Sequence, residues 1–275
     1  NYFLIYGIWV FPRLEVEGAA IATLISRFSM VFLIIFILKS RQSLKPYFSK
    51  LIQKIDKVIF RRLLSLGFPT ALQMLFEGGI FTASVLLAGS LGTNAQAANQ
   101  IALNLASMTF MVGVGLGVTA TIRVANQKGK KDFPHMRFIA HSIFFQILLI
   151  EIVFALLFVT LKNILPEVYI DDAEVITMAS QLLIIAALFQ ISDGLQVGIL
   201  GALRGLQDVN VPTFICFVAY WMIGFPVSYY FGDSERLGGS GIWLGLLAGL
   251  TASALLLYIR FNKVSSRYIK STNFA

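Results

Sequence analysis

The chain has 275 residues, of which 57% are hydrophobic and only 13% charged, with a mean hydropathy of +0.78. Soluble domains carry about 25% charged residues, so the composition excludes a soluble domain and leaves an integral membrane protein. The net charge of +8 is spread in short basic clusters between apolar spans, which excludes nucleic acid as a partner and makes the lipid bilayer the solvent.

The sequence begins inside an apolar stretch, Asn1 to Phe11, without an initiator Met, and is expected to be an internal piece of a longer protein. After a turn at Pro12, the pattern predicts seven membrane-spanning helices at 19–38, 63–91, 95–122, 138–161, 175–203, 209–231 and 238–259. Each approaches or exceeds the roughly 20 residues needed to cross the hydrocarbon core. If the 39–62 loop lies in the cytoplasm and the spans alternate, 18 basic residues fall inside and only Arg13, Lys162 and Arg236 outside, with Arg27 within a span. That asymmetry over short loops predicts a cytoplasmic 39–62 loop and a cytoplasmic C-terminus, in a multi-pass protein of the cell (inner) membrane.

Four regions follow. Residues 1–38 are expected to be the end of an N-terminal transmembrane lobe, where Arg27 snorkels or pairs. Residues 39–62 form a cytoplasmic linker. Its amphipathic stretch (Leu51, Ile52, Ile55, Val58 and Ile59 against Lys50, Lys54 and Lys57) suits the membrane surface. Residues 63–260 form a six-helix transmembrane lobe, and 261–275 a cytoplasmic tail. An internal echo accompanies this division. Leu14-Glu-Val-Glu-Gly18 opens the first span and Leu237-Gly-Gly-Ser-Gly241 the last, each after an aromatic segment holding a Gly and a Phe-Pro pair. Duplicated halves are common in transporters.

The residues that matter most are two acids near the middle of apolar spans. Between Leu63 and Leu91 the one charged residue is Glu77, and between Val175 and Leu203 it is Asp193. A carboxylate at that depth costs about 2.5–3.5 kcal/mol on insertion scales, which marks it as a functional-site candidate. Thr70, Gln73, Glu77 and Ser84 share one helical face, and Gln190, Asp193 and Gln196 share another. Each face is a polar stripe suited to a protein-lined cavity. A structural hydrogen bond would be served as well by Gln, without a charge to desolvate. Two such acids on different helices of one bundle can share a cation or a proton. A third acid, Glu151, lacks a polar face on its own helix, since His141 and Gln146 do not align with it; it serves either a pathway role or an interhelical hydrogen bond.

The remaining motifs read as structure. Gly113-Val-Gly115-Leu-Gly117 lies inside an apolar helix and suits close helix packing rather than a nucleotide loop. Pro69 marks a helix start and Pro226 a kink, with Gly67 and Gly224 easing the bends. Cys216 stands alone in an apolar run, so there is no disulfide framework. His135 and His141 have no ligand-like partner. Glu167, Asp171, Asp172 and Glu174 make an acidic outer loop. No Walker loop, Ser/His/Asp arrangement or metal-ligand cluster occurs, so neither an enzyme nor a bound cofactor is expected.

The segments Gly67-Phe-Pro-Thr-Ala-Leu-Gln-Met-Leu-Phe-Glu77, Leu91-Gly-Thr-Asn-Ala-Gln-Ala-Ala-Asn-Gln-Ile101, Ile122-Arg-Val-Ala-Asn-Gln-Lys-Gly129, Ser192-Asp-Gly-Leu-Gln196, Gly201-Ala-Leu-Arg-Gly-Leu-Gln-Asp208 and Gly239-Ser-Gly-Ile-Trp-Leu-Gly245 together resemble the MATE family of multidrug and toxin extrusion transporters, in its NorM-like branch. The resemblance implies a twelve-helix transporter of two six-helix lobes, of which this chain holds the second lobe and the last helix or two of the first. It further implies that Glu77 and Asp193 are the family's cation-coupling acids, on its seventh and tenth helices. Asn99 departs from the pattern, since NorM-like members carry His there; a first-lobe helix whose acid serves proton coupling elsewhere in the family lies outside the chain.

The expected function is a cation-coupled antiporter, driven by Na⁺ or H⁺, that exports organic cations, drugs or toxins by alternating access. Its expected partners are the lipid bilayer, small amphipathic or cationic substrates and the rest of the N-terminal lobe, in a monomer. Glu77 and Asp193 are the expected cation ligands, with Na⁺ the candidate metal; Gln73, Thr70, Ser84, Gln190, Gln196 and Asn99 are candidate cavity-lining residues. Phe76, Phe81 and Phe189 stand near the stripes and suit either substrate or core. The alternative is a lipid-linked oligosaccharide flippase of the same superfamily, which would call for cationic cavity residues.

Overall fold

The computed structural model describes residues 2–7, 12–40, 56–233 and 235–272. In chain order these form α1 (Tyr2–Tyr6), α2 (Glu15–Ser40), α3 (Lys57–Ser90), α4 (Thr93–Gly129), α5 (Phe133–Thr160), α6 (Ile164–Glu167), α7 (Ala173–Gly205), α8 (Asn210–Phe217), a π-helical stretch (Val218–Gly224), α9 (Phe225–Phe231) and α10 (Gly238–Thr272). Among the described residues the fold is all-helical, and seven helical stretches are long and apolar enough to cross a membrane. They match the seven expected spans one for one. Several run further than expected: α3 begins at Lys57 and α10 continues to Thr272, through residues expected as tail. Hydropathy marks only the apolar part of a helix, whereas the backbone ladder runs on into the polar region. Most of the amphipathic stretch at 50–59 lies outside the described residues.

The chain divides into two compact units, Asn1–Phe60 and Arg61–Ala275. In the first, Gly7 takes a left-handed backbone (φ 66°) that ends α1. The Leu14 N–H then donates to the Leu4 carbonyl at 3.0 Å. Gly18 lies against that same carbonyl, where any side chain would collide. Beyond Gly18, the residues of α2 are exposed or half-buried within this unit, and apart from Arg27 its middle is largely apolar all round, as a lipid-facing span is.

In the second unit α7 is the central helix, packed against α4, α5 and α10. Its glycines at 194, 198, 201 and 205 recur every three or four residues, which puts them along one side. Gly201 abuts the Gly117 carbonyl, and a methyl on Gly205 would stand 2.7 Å from the Thr121 carbonyl oxygen. Thr121 Oγ1 donates across the seam to the Gly201 carbonyl at 2.9 Å. Small residues let two backbones meet where lipid offers no hydrophobic drive to association. The close-packing expectation therefore holds for Gly113 and Gly117, whereas Gly115 faces open space.

The two prolines differ in outcome. Pro69 lies inside α3 rather than at its start. The start is set twelve residues earlier by Asp56, whose Oδ1 accepts from the N–H groups of Val58 (2.8 Å) and Ile59 (3.4 Å) and so caps the helix. Thr213 Oγ1 donates to the Pro69 carbonyl at 2.8 Å, tying α8 to this point of α3. Pro226 follows directly on the π-helical stretch, which ends at Gly224. A wider turn accommodates a residue that cannot donate to the ladder.

The corner between α9 and α10 repeats the first unit's corner. The Leu237 N–H donates to the Phe231 carbonyl at 3.3 Å, and Gly241 lies against that carbonyl. Elsewhere, Asp172 of the acidic outer loop caps α7 by accepting from Glu174 N (2.9 Å) and Val175 N (3.3 Å). Arg260 of α10 clasps Asp208 through Nε (2.7 Å) and Nη2 (3.1 Å). Cys216 is buried and unpaired. Trp243, Tyr220, Phe189 and Phe261 are the bulkiest fully buried side chains.

Candidate functional site

The polar stripe of α3 turns inward, but its members do different jobs. Thr70 and Ser84 donate their hydroxyl protons to their own helix, at the Leu66 (2.8 Å) and Phe81 (2.7 Å) carbonyls. Gln73 is buried, and its Oε1 accepts from Arg204 Nη2 at 3.4 Å, while its Nε2 has no protein partner. Glu77 is half-buried, with Oε1 fully covered and without a hydrogen-bond partner.

On α7, Gln190, Asp193 and Gln196 are all buried; Asp193 is 4% exposed and its Oδ1 lacks a partner. Gln190 Oε1 accepts from Thr109 Oγ1 of α4 at 3.0 Å, and Gln190 Nε2 reaches the Glu151 backbone carbonyl of α5 at 3.4 Å. Gln196 is fully buried opposite the Tyr220 hydroxyl of the π-helical stretch. The charges of Glu77 and Glu151 both bear on Asp193. Three acids therefore converge on one interior from α3, α5 and α7. Among the described residues, no three of His, Cys, Asp and Glu gather closely enough to hold a metal ion as a cluster.

Two cavities open onto this interior. The larger, about 430 Å³, is walled by Phe81, Phe110, Met111, Phe189, Gln100 and Asp193, among others. Asp193 is the one charged group among its described wall residues. Phe189 anchors this wall through an edge contact with Trp243 at 5.2 Å between centroids. The smaller cavity, about 140 Å³, is walled by Met74, Glu77, Phe110, Val197 and Arg204, among others. Asp193 and Glu77 thus belong to different cavities, Glu151 to neither, and Phe110 stands in both walls.

The candidate cavity-lining residues Gln73, Thr70, Ser84, Gln190, Gln196 and Asn99 do not stand among the wall residues of these two cavities. Thr70, Ser84, Gln190 and Asn99 are spent on helix contacts, whereas Gln73 keeps a buried Nε2 without a protein partner. Asn99 is the clearest case: buried on α4, it accepts from Trp243 Nε1 at 2.9 Å. A shared helical face shows which way residues point, not whether space or a neighbouring helix meets them there.

Sequence reasoning missed Arg204 and left Glu151 open between two roles. Arg204 looked like one more basic loop residue. It occupies the last turn of α7, and its guanidinium turns back to Gln73 and bears on Glu77. Glu151 had no polar face on its own helix, yet it is 1% exposed, and its polar company comes from α4 and α7. The usable signal was the acid itself, alone at mid-span.

Carboxylate oxygens without partners in a low-dielectric interior suit a small cation, and an aromatic wall around a single acid suits an organic cation.

The MatE family model matches residues 69–230. The chain is 36% identical to the probable multidrug resistance protein NorM of Pasteurella multocida, over 97% of this chain and 59% of that protein. It is 36% identical to the multidrug resistance protein MdtK of Yersinia pseudotuberculosis, over 94% of this chain and 58% of that protein. It spans somewhat under two thirds of the length of these relatives. The eukaryotic MATE transporter AtDTX14 superposes with a TM-score of 0.82 at 21% identity, covering 98% of this chain and 61% of that one. The Vibrio cholerae MATE transporter VcmN in its bent form superposes at 0.78 with 17% identity, covering 97% and 59%; both likenesses show the fold. The family consists of transporters rather than enzymes. By its sequence, its fold and the seven helices among its described residues that are long and apolar enough to cross a membrane, this chain is a multi-pass membrane protein of the MatE family.

Proposed function

We propose that the intact protein is an antiporter that exports organic cations, drugs or toxins in exchange for Na⁺ or H⁺ by alternating access. The observation that carries this is Asp193. It is the one charged group among the described wall residues of a largely apolar, aromatic cavity, and it is electrostatically linked to Glu77, which opens on a second cavity. Glu77 and Asp193 are the cation-coupling residues. A coupling cation on these acids favours one arrangement of the transporter, and an organic cation against Asp193 and the aromatic wall favours the other. Exchange then needs only different affinities of the two ligands for the two arrangements. A lipid-linked pyrophosphate would meet Asp193 as a repelling charge, which weighs against the flippase alternative.

The excess of basic residues in alternate loops supports a cytoplasmic inter-lobe segment at 39–62 and a cytoplasmic C-terminus. The partner of the six-helix unit is the remaining lobe of the same chain, and the working unit is a monomer in the cell membrane. The test uses the full-length transporter in proteoliposomes with an imposed Na⁺ or pH gradient. Glu77→Gln and Asp193→Asn keep size and hydrogen-bonding capacity and remove the charge. Each is expected to abolish ion-driven dye efflux while leaving insertion and folding intact. Unchanged ion-dependent efflux in both variants sinks the coupling assignment.

A further inference from the structure

Glu151 holds a position that the two-acid scheme leaves unused. Its carboxyl group sits in a niche where α4, α5 and α7 meet, and two glycines make the room. A methyl on Gly194 would stand 2.6 Å from Glu151 Oε1 and 2.7 Å from its Cγ, and a methyl on Gly113 would stand 3.4 Å from the same oxygen. Gly194 directly follows Asp193 in the chain. Glu151 Oε2 is buried with no hydrogen-bond partner among protein groups, and so is Asp193 Oδ1. Around them, Gln190 is fixed between Thr109 Oγ1 and the Glu151 backbone carbonyl. A space-filling residue in this niche would be better apolar, and a structural hydrogen-bonder would use its oxygens. Glu151 does neither.

We propose that Glu151 is a third coupling residue, which holds a desolvated monovalent cation jointly with Asp193 on the α5 side of α7, away from the cavity that Glu77 lines. Carboxylate oxygens from two helices, with glycine backbone on either side, offer a small hard cation oxygen ligands and exclude larger ions. This inference rests on the antiporter reading above and adds a residue and a location to it.

Efflux of a fluorescent organic cation is followed in proteoliposomes of the full-length transporter, against Na⁺ concentration at fixed pH and against pH without Na⁺. These two arms separate Na⁺ from H⁺ as the cation held. Glu151→Gln is expected to raise the half-saturating concentration of the coupling cation about tenfold or more, a coupling change within the usual range, with dye binding in detergent unchanged. Gly194→Ala leaves all three acids in place but pushes a methyl into the niche, and is expected to raise the same concentration. Should the Gln variant fail to accumulate, Glu151→Asp keeps the charge and retracts it by one methylene; a ligand role again predicts weakened cation dependence. Wild-type cation dependence in Glu151→Gln or Glu151→Asp, beside a lost dependence in Glu77→Gln, overturns this inference and leaves the two-acid antiporter standing. A wild-type protein whose efflux ignores both gradients overturns both together.

Discussion

The indole N–H of Trp243 donates to Asn99 Oδ1 at 2.9 Å, joining α10 to α4 through two fully buried side chains. Removing the donor leaves a buried amide oxygen without a partner, at a cost of about 1–3 kcal/mol. Trp243→Phe in the full-length protein should therefore lower the melting temperature in detergent by several degrees. Asn99→His keeps an acceptor at the same place and should melt near wild type. Equal melting of wild type and Trp243→Phe would show that the bond contributes nothing.

Exposed single cysteines report topology. In a Cys216→Ala background, Lys130→Cys and Asp171→Cys both sit on exposed loop positions and fall on opposite sides in the proposed orientation. An impermeant thiol reagent applied to intact cells should label the second and spare the first. Labelling of both, or of the first alone, refutes the orientation.

The glycines of α4 and α7 are not equivalent. Gly201→Ala drives a methyl into the Gly117 carbonyl, and overpacking of this kind costs about 1–3 kcal/mol or more. Gly115→Ala meets open space and replaces a poor helix former by the best one, a gain of up to about 1 kcal/mol. The first should lose folded yield and thermal stability, and the second should match or exceed wild type. Similar behaviour of the two substitutions would mean that the α4–α7 seam does not control stability.

Arg204 is a resident positive charge beside Glu77. In the antiporter reading it competes with the coupling cation. Arg204→Gln should lower the half-saturating cation concentration by roughly threefold to tenfold, the Coulomb effect being weakened by partial exposure. Arg204→Lys should change it little. A raised value in Arg204→Gln would mean that Arg204 helps to hold the site together rather than competing for it.

Much of the fold was legible because lipid makes strict demands. Each apolar run had to be a helix of at least bilayer length, so existence and order of the spans followed directly. Where a helix began was legible only to a reader who weighed caps: Asp56 starts α3 well before Pro69, which drew the eye because proline so often opens a helix. Within the site, Glu77 and Asp193 announced themselves by depth alone. Arg204 did not, because a basic residue near a helix end reads as loop charge until its side chain is seen to fold back. Glu151 was undervalued for a related reason. Polar periodicity is a property of one helix, and its polar surroundings belong to two others.

The Leu14–Leu4 and Leu237–Phe231 backbone bonds occupy the same place relative to a glycine four residues on, Gly18 in one corner and Gly241 in the other. The sequences between leucine and glycine share little, Glu-Val-Glu against Gly-Gly-Ser, so what the two corners have in common is a bend and not a string of letters. A backbone crossing that leaves no room for a Cβ fixes one residue in each corner, the glycine whose side chain would occupy its neighbour's carbonyl. Two such corners in one chain set the same steric rule by geometry rather than by letters, and a tolerance profile measured around Gly18 should be transferable to Gly241.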